Sequence, residues 1–230
     1  MNKQIVLASA SPRRSELLAS IKLDFITHPS DFEEKLSGLP PEELAKYNAL
    51  GKAQSVARHY HDALVIGVDT LVVVGDRVLG KPKNLEDHKL LLRLQSGAVT
   101  KVISGLTVLN SKTNKAITII ETTLVTMDRF DERAIEAYIA SGEGSDKAGG
   151  YAIQGLGALF IKKIDGDYFN VVGLPVYRLR KVLEEFGFDS WIGYSPKVNY
   201  HLTLILYVQR TQIFACRCHR RNRHWCAFRA

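Results

Sequence analysis

Gln4-Ile5-Val6-Leu7-Ala8-Ser9-Ala10-Ser11-Pro12-Arg13-Arg14-Ser15-Glu16-Leu17-Leu18 decides how the rest of the chain is read. Gln4 to Ala8 is a short apolar run of the buried-strand type. Pro12 suits the first position of a helix, with Ser11 as its N-cap. A strand that turns through small residues into a helix gathers free N–H groups and the positive dipole end at one point. Ser9, Ser11, Arg13 and Arg14 share that turn. The segment therefore reads as a phosphate cradle without a glycine-rich loop. Taken alone it also fits a capped helix with solvated arginines. Its companions further along the chain decide between the two.

Composition sets the frame. The chain has 230 residues, 46% apolar and 24% charged, an ordinary globular mix long enough for one sizeable core or two small lobes. The net charge of +7 belongs to one end. Residues 1–195 carry as many acids as bases, whereas 196–230 hold Lys197, Arg210, Arg217, Arg220, Arg221, Arg223 and Arg229 and no acid. All three cysteines, Cys216, Cys218 and Cys226, lie there too, which excludes a thiol nucleophile or a disulfide from residues 1–195. The N-terminus has no signal-peptide pattern and no apolar run is long enough to span a membrane, so a cytoplasmic location is expected.

Periodicity predicts strands at 3–8, 23–28 and 63–68, the last ending at Asp69, and helices at 12–20 and from Pro41 to about Tyr60. The long helix is expected to bury Leu44, Tyr47, Leu50, Ala53, Ala57 and Tyr60. Leu71–Leu79 reads as a hairpin turning at Gly75-Asp76. Asn84 and Asp131 cap helices to about Gln95 and Ala140. Two β-rich stretches, 100–109 and 117–127, could form a second lobe. Gly149–Gly157 leads into a strand at 158–164, and Pro175 opens a last helix to about Phe186. The pattern is that of an α/β fold with a mixed sheet.

Several residues carry chemistry. Asp69, at the end of an apolar run, is expected at the carboxyl end of a buried strand, where ligands bind in open α/β sheets. A carboxylate there can hold a divalent cation or activate water. Lys81, fixed between Gly80 and Pro82, projects a point charge suited to phosphate. In Ser145-Asp146-Lys147-Ala148-Gly149-Gly150-Tyr151-Ala152-Ile153-Gln154-Gly155, small residues permit close approach of a ligand. Lys147 adds charge there, and Gln154 an amide able to read a base edge. Glu34 could complete a cation site with Asp69, and Lys52 could face the same cleft. Each has a plainer alternative: a loop cap, a turn lysine, a linker, a surface ion pair.

Together and in this order, these segments resemble the Maf family of nucleoside triphosphate pyrophosphatases over about residues 3–188. The resemblance rests on Leu7–Arg14, Glu34, Lys52, Gly67–Thr70, Gly80–Pro82, Asp146–Tyr151, Ile153–Gly155 and Asn170–Pro175. It implies a fold similar to inosine triphosphate pyrophosphatases: a long mixed sheet bent between two lobes, flanking helices and a central nucleotide cleft. It implies hydrolysis of a nucleoside triphosphate to monophosphate and pyrophosphate with Mg²⁺ or Mn²⁺. By resemblance Asp69 is the catalytic proton acceptor, and Arg13, Thr70 and Gln154 select the base in the manner of the subgroup acting on dTTP and UTP. Ser9, Ser11, Arg14, Lys52, Lys81 and Lys147 are assigned to the phosphates, and Glu34 and Asp69 to the metal. Nucleotide-pool sanitation is the implied purpose, and a homodimer is compatible with the family. A nucleotide-sensing regulator of cell division and an N7-methyl-GTP pyrophosphatase are the alternatives.

The expected domain is 1–189. Residues 190–230 depart from the family and read as an atypical, basic, solvated or poorly ordered tail. Cys216, Cys218, His219, His224 and Cys226 are zinc-type ligands, but their spacing fits no standard finger, so no zinc is expected. A nucleic-acid role for that basic run is a third alternative, and nucleic acid is not the expected partner.

Overall fold

A computed structural model describes residues 3–188; the basic segment 190–230, with its cysteines, lies outside the described residues. One mixed sheet of seven strands organises the described chain. The strands are β1 (Gln4–Leu7), β2 (Ile26–Thr27), β3 (Ala63–Val74), β4 (Arg77–Leu79), β5 (Val99–Asn110), β6 (Ala116–Met127) and β7 (Ile161–Asp165). Their order is β2-β1-β3-β5-β6-β7, and β4 adds to β3. β1 runs parallel to β2 and β3; the remaining pairs are antiparallel. The helices are α1 (Pro12–Ser20), α2 (Pro41–Ala57), α3 (Leu85–Gln95), α4 (Glu132–Ala140), α5 (Tyr168–Val172) and α6 (Val176–Glu185).

Four apolar clusters share the long strands, and two of them frame the site. In the first, Leu7, Ile66, Val68, Leu106 and Val108 pack on Leu17 and Leu18 of α1 and on Leu179, Val182 and Leu183 of α6. In the second, Val72, Val102, Val125 and Met127 pack on Leu91 and Leu92 of α3 and Ile135 and Tyr138 of α4. β3 and β5 therefore pass from one core to the other, and Asp69 and Thr70 fall between Val68 of the first and Val72 of the second. The β-rich stretch 100–127 is not a lobe of its own; its two strands are the shared backbone of both.

β3 differs from the expected short strand. It does not stop at Asp69 but continues to Val74, because Leu71-Val72-Val73-Val74 is β-prone and pairs with β5 over the whole length. The site is therefore not at a strand end. β1 accompanies β3 only from Ala63 to Ile66, and β4 joins the same edge only from Val72. Residues 67–71 are left with a strand partner on one side, and that gap in the edge opens the sheet to a ligand. Side chains alternate along a strand, so Asp69 and Thr70 leave it toward opposite faces.

α2 lies flush on the sheet. An added Cβ at Gly67 would lie 2.2 Å from the carbonyl oxygen of Ala49, and one at Gly105 2.1 Å from that of Ala45. Glycines at these crossings let the helix backbone touch the strands. Its buried face is accordingly small: Ala45, Ala49, Ala53 and Ala57 with Leu44 and Val56. Tyr47 is exposed, Leu50 half-buried and Tyr60 beyond the helix end, contrary to the expected face. Elsewhere Asn84 and Asp131 cap their helices as expected, accepting the N–H of Asp87 and Ala134. The strand expected at 158–164 is a 3-10 segment, Gly155–Phe160, followed by β7, and the strand expected at 23–28 shortens to Ile26–Thr27.

Candidate active site

A cleft of about 760 Å³ opens at the gap in β3. Ser9, Ser11, Arg13, Arg14, Glu34, Lys52, Asp69, Thr70, Lys81, Lys147 and Gln154 all line it, so residues scattered over more than half the chain converge. The size suits a nucleotide.

One wall is the turn from β1 into α1. Ser9 Oγ accepts the N–H of Ser11 at 3.2 Å and a guanidinium N–H of Arg14 at 3.0 Å. Ser11 occupies the cap position, but its hydroxyl makes no cap bond. The first turn of α1 contains no acidic residue, so the positive end of the helix is not neutralised locally. Arg14 is partly committed within the fold. Its Nε donates to Gly173 O at 2.9 Å and a terminal nitrogen to Thr70 Oγ1 at 3.2 Å. Burial pulls its pKa down, Asp69 and Glu34 oppose that, and a guanidinium stays charged throughout. Two of its five N–H groups have no bond to the described protein and remain for a phosphate.

Thr70 is less open than a base contact would be. Its hydroxyl meets Arg14, Ser104 Oγ at 2.9 Å and Gly173 O at 3.5 Å. Gly173 is delivered by α5, whose buried Asn170 donates to Val102 O and Thr123 Oγ1. Ser104 was not anticipated; its only sequence signal is a small polar residue inside an apolar strand.

The floor is a charged cluster. Asp69 is 4% exposed and Lys52 7%. Lys52 Nζ lies 2.7 Å from Asp69 Oδ1, 2.7 Å from Glu34 Oε1 and 3.4 Å from Val68 O. Asn48, one helical turn before Lys52 and also unanticipated, donates to Asp69 Oδ2 at 3.0 Å. The same amide exchanges two bonds with the backbone of Lys35, the neighbour of Glu34. Both Asp69 oxygens thus receive a donor from α2, and Asn48 pins the segment carrying Glu34. Lys52 balances two carboxylates before it can serve any phosphate. Oxygen donors of this kind fit a hard divalent cation that takes its remaining ligands from phosphates and water. Among the described residues no group of three or more His, Cys, Asp or Glu could hold one alone.

The facing wall is the segment 143–155. Gly149 N–H donates to Gly80 O, while Gln95 and His88 of α3 donate to the carbonyls of Gly149 and Gly150, each at 2.6 Å. α3 thereby seats the two glycines beside the turn that carries Lys81. Lys147 bonds Asp146 and holds its carboxyl below the usual range, burial opposing. Arg13 reaches across to Asp146 at 3.9 Å. Among the described residues Lys81 has no acidic partner and the Gln154 amide no hydrogen bond, so both face the cleft free.

The arrangement can bind a polyanion along the α1 terminus, Arg13, Lys81 and Lys147, place one carboxylate at its inner end and present a planar amide at its outer end. A family model described as Maf-like protein matches residues 4–186. The dTTP/UTP pyrophosphatase of Methanosarcina barkeri is 46% identical over 187 residues, covering 80% of this chain and 95% of that protein. The dTTP/UTP pyrophosphatase of Dictyoglomus thermophilum is 43% identical over 191 residues, covering 82% of this chain and 99% of that one. Among solved structures the Staphylococcus aureus Ham1 protein is similar at a TM-score of 0.47 and 16% identity, covering 80% of this chain and 99% of that chain.

Proposed function

This chain belongs to the Maf family, and on that premise we propose that it hydrolyses dTTP and UTP to the monophosphate and pyrophosphate. The observation that carries the reading is Asp69. It is a buried carboxylate, oriented by Lys52 and Asn48, at the inner end of a cleft that Arg13, Arg14, Lys81 and Lys147 also line.

A triphosphate brings about four negative charges, so catalysis consists mainly of positioning and charge neutralisation. The free amides of α1, Arg13, the spare N–H groups of Arg14, Lys81 and Lys147 bind the phosphate chain. Ser9 and Ser11 add hydroxyls. Lys52 and Asn48 direct the remaining lone pairs of Asp69 toward the attacking water, whose proton Asp69 accepts. The bond between the α- and β-phosphates breaks, and pyrophosphate leaves with its charge held by the same cations. Glu34 and Asp69 would hold a divalent cation, Mg²⁺ or Mn²⁺, which when bound acidifies water and neutralises phosphate charge.

Gln154 pairs donor and acceptor with the pyrimidine edge, and Arg13, which lines the same cleft, shares the selection. Thr70 contributes to base selection by anchoring Arg14 and Gly173. Residues 1–189 contain every group this reading uses, and the segment 190–230 adds none. A cytoplasmic place of action belongs to the same proposal. The deciding experiment incubates the chain with canonical and modified triphosphates and either cation, then identifies the products. Monophosphate plus pyrophosphate from dTTP and UTP is expected; orthophosphate in place of pyrophosphate overturns the assignment.

A further inference from the structure

Gln154 faces the cleft with no bond to hold its side chain. What the protein sets is therefore the backbone that presents it. Gln154 is extended, at φ −98° and ψ 147°, and stands at the cap of the 3-10 segment Gly155–Phe160. Whatever fixes that turn fixes the point and direction from which the side chain reaches into the cleft.

Glu143 fixes it. Its Oε1 accepts the N–H of Gly157 at 2.8 Å and its Oε2 the N–H of Leu156 at 3.0 Å. Such first-turn amides have no partner within their own helix. Tyr138 holds the other flank: its hydroxyl donates to Glu143 Oε1 at 3.2 Å and accepts the N–H of Ala152 at 3.0 Å. Two linked side chains thus grip the backbone just before and just after Ile153-Gln154-Gly155. Gly155 belongs to the same device. Its φ is +84°, and an added Cβ would lie 2.5 Å from Glu143 Oε2.

The charges agree with this geometry. Burial drives the Tyr138 phenol well above its ordinary value, against the opposing bond from Ala152, so it remains a neutral donor. Burial would raise the Glu143 carboxyl, but the amides of Gly157 and Leu156, the phenol and Lys147 together hold it below the usual range. An ionised carboxylate in a cleft built for a polyanion works against binding unless its oxygens are spent on the protein, and here both are.

We infer that Glu143, bridged by Tyr138, is a positioning residue for base discrimination: it holds the backbone from which Gln154 reaches the base, without touching the nucleotide. The inference rests on Gln154 as the base reader. The test measures kcat/KM for dTTP, UTP and GTP with the full chain as wild type, Gln154→Ala, Glu143→Gln, Tyr138→Phe and the Glu143→Gln/Gln154→Ala pair. Glu143→Gln keeps the shape but turns an NH₂ toward a backbone N–H. It is expected to lower the dTTP-over-GTP ratio by about tenfold, with kcat on GTP kept within about threefold. Tyr138→Phe lowers the ratio in the same direction and by less. The pair falls no further than Gln154→Ala alone, since the two residues act as one unit.

A wild-type ratio in both Glu143→Gln and Tyr138→Phe, while Gln154→Ala lowers it, overturns the inference. So does an equal loss on all three triphosphates. Where Glu143→Gln does not fold, the ratio in Tyr138→Phe alone decides. An unchanged ratio in Gln154→Ala is a different failure, that of the base-reading role itself.

Discussion

The two ends of the cleft are built by different means. At the inner end Asp69 and Lys52 stand on a central strand and a helix packed flush against it, nearly dry, with every oxygen of Asp69 given a donor. At the outer end Gln154 stands on a glycine-rich turn, exposed, held only through the backbone amides on either side of it. The difference teaches where each task can be placed. Neutralising and cleaving a phosphate chain needs charges that do not reorganise, and a packed sheet supplies them. Distinguishing bases needs a planar group at a set angle, and a turn can supply it provided something clamps the turn.

The comparison is broken most severely at Asp69. Asp69→Asn keeps the shape of the side chain and removes its basicity. A loss of about 10³-fold in kcat/KM is expected, equal for dTTP and UTP; the new NH₂ faces a donor on Asn48 or Lys52, so the thermal unfolding midpoint also falls. Lys52→Met comes next and acts on stability as well. It leaves Asp69 and Glu34 facing each other without their shared cation, a loss on the order of 3 kcal/mol for breaking a buried pair. Thermal denaturation should show a larger fall in Lys52→Met, which leaves two carboxylates without a cation, than in Asp69→Asn, which leaves Lys52 paired with Glu34.

Gln154→Ala is expected to leave turnover of the poorest substrate nearly intact and to lower the preference for dTTP by about tenfold, read from kcat/KM across a triphosphate panel. Arg13→Ala should move that preference in the same sense. Lys81→Ala is the mildest: an exposed point charge on phosphate, expected to raise KM by about threefold alike for every base. A base-dependent effect of Lys81→Ala would erase the division between the two ends.

Much of this was legible in the chain because the informative residues sit in short local motifs. Ser-Pro-Arg-Arg after an apolar run, Asp69-Thr70 after another, Gly-Lys-Pro past a hairpin and the glycine-rich Asp146–Gly155 segment each specify a turn or strand without knowledge of the rest. All eleven candidate residues meet in one cleft. What was not legible depends on partners distant in sequence. Asp69 was expected at a strand end because the apolar run changes character there. The strand continues because β5 pairs with it to Val74, and the opening arises from where β1 stops and β4 begins. The 3-10 turn at Gly155–Phe160 replaces an expected strand because Glu143, a dozen residues earlier, satisfies its first amides. Asn48 looks like any polar residue on a solvated helix. Its place on the buried face follows only once Gly67 and Gly105 are seen to bring α2 onto the sheet.

The most direct measurement of the central claim compares two quantities, rate and base preference, in Asp69→Asn and Gln154→Ala over the same panel of triphosphates, with pyrophosphate as the detected product. The first variant is predicted to lose rate on every base and keep its preference, while the second keeps its rate on the poorest substrate and loses preference. Undiminished pyrophosphate release by Asp69→Asn would contradict the role given to that carboxylate.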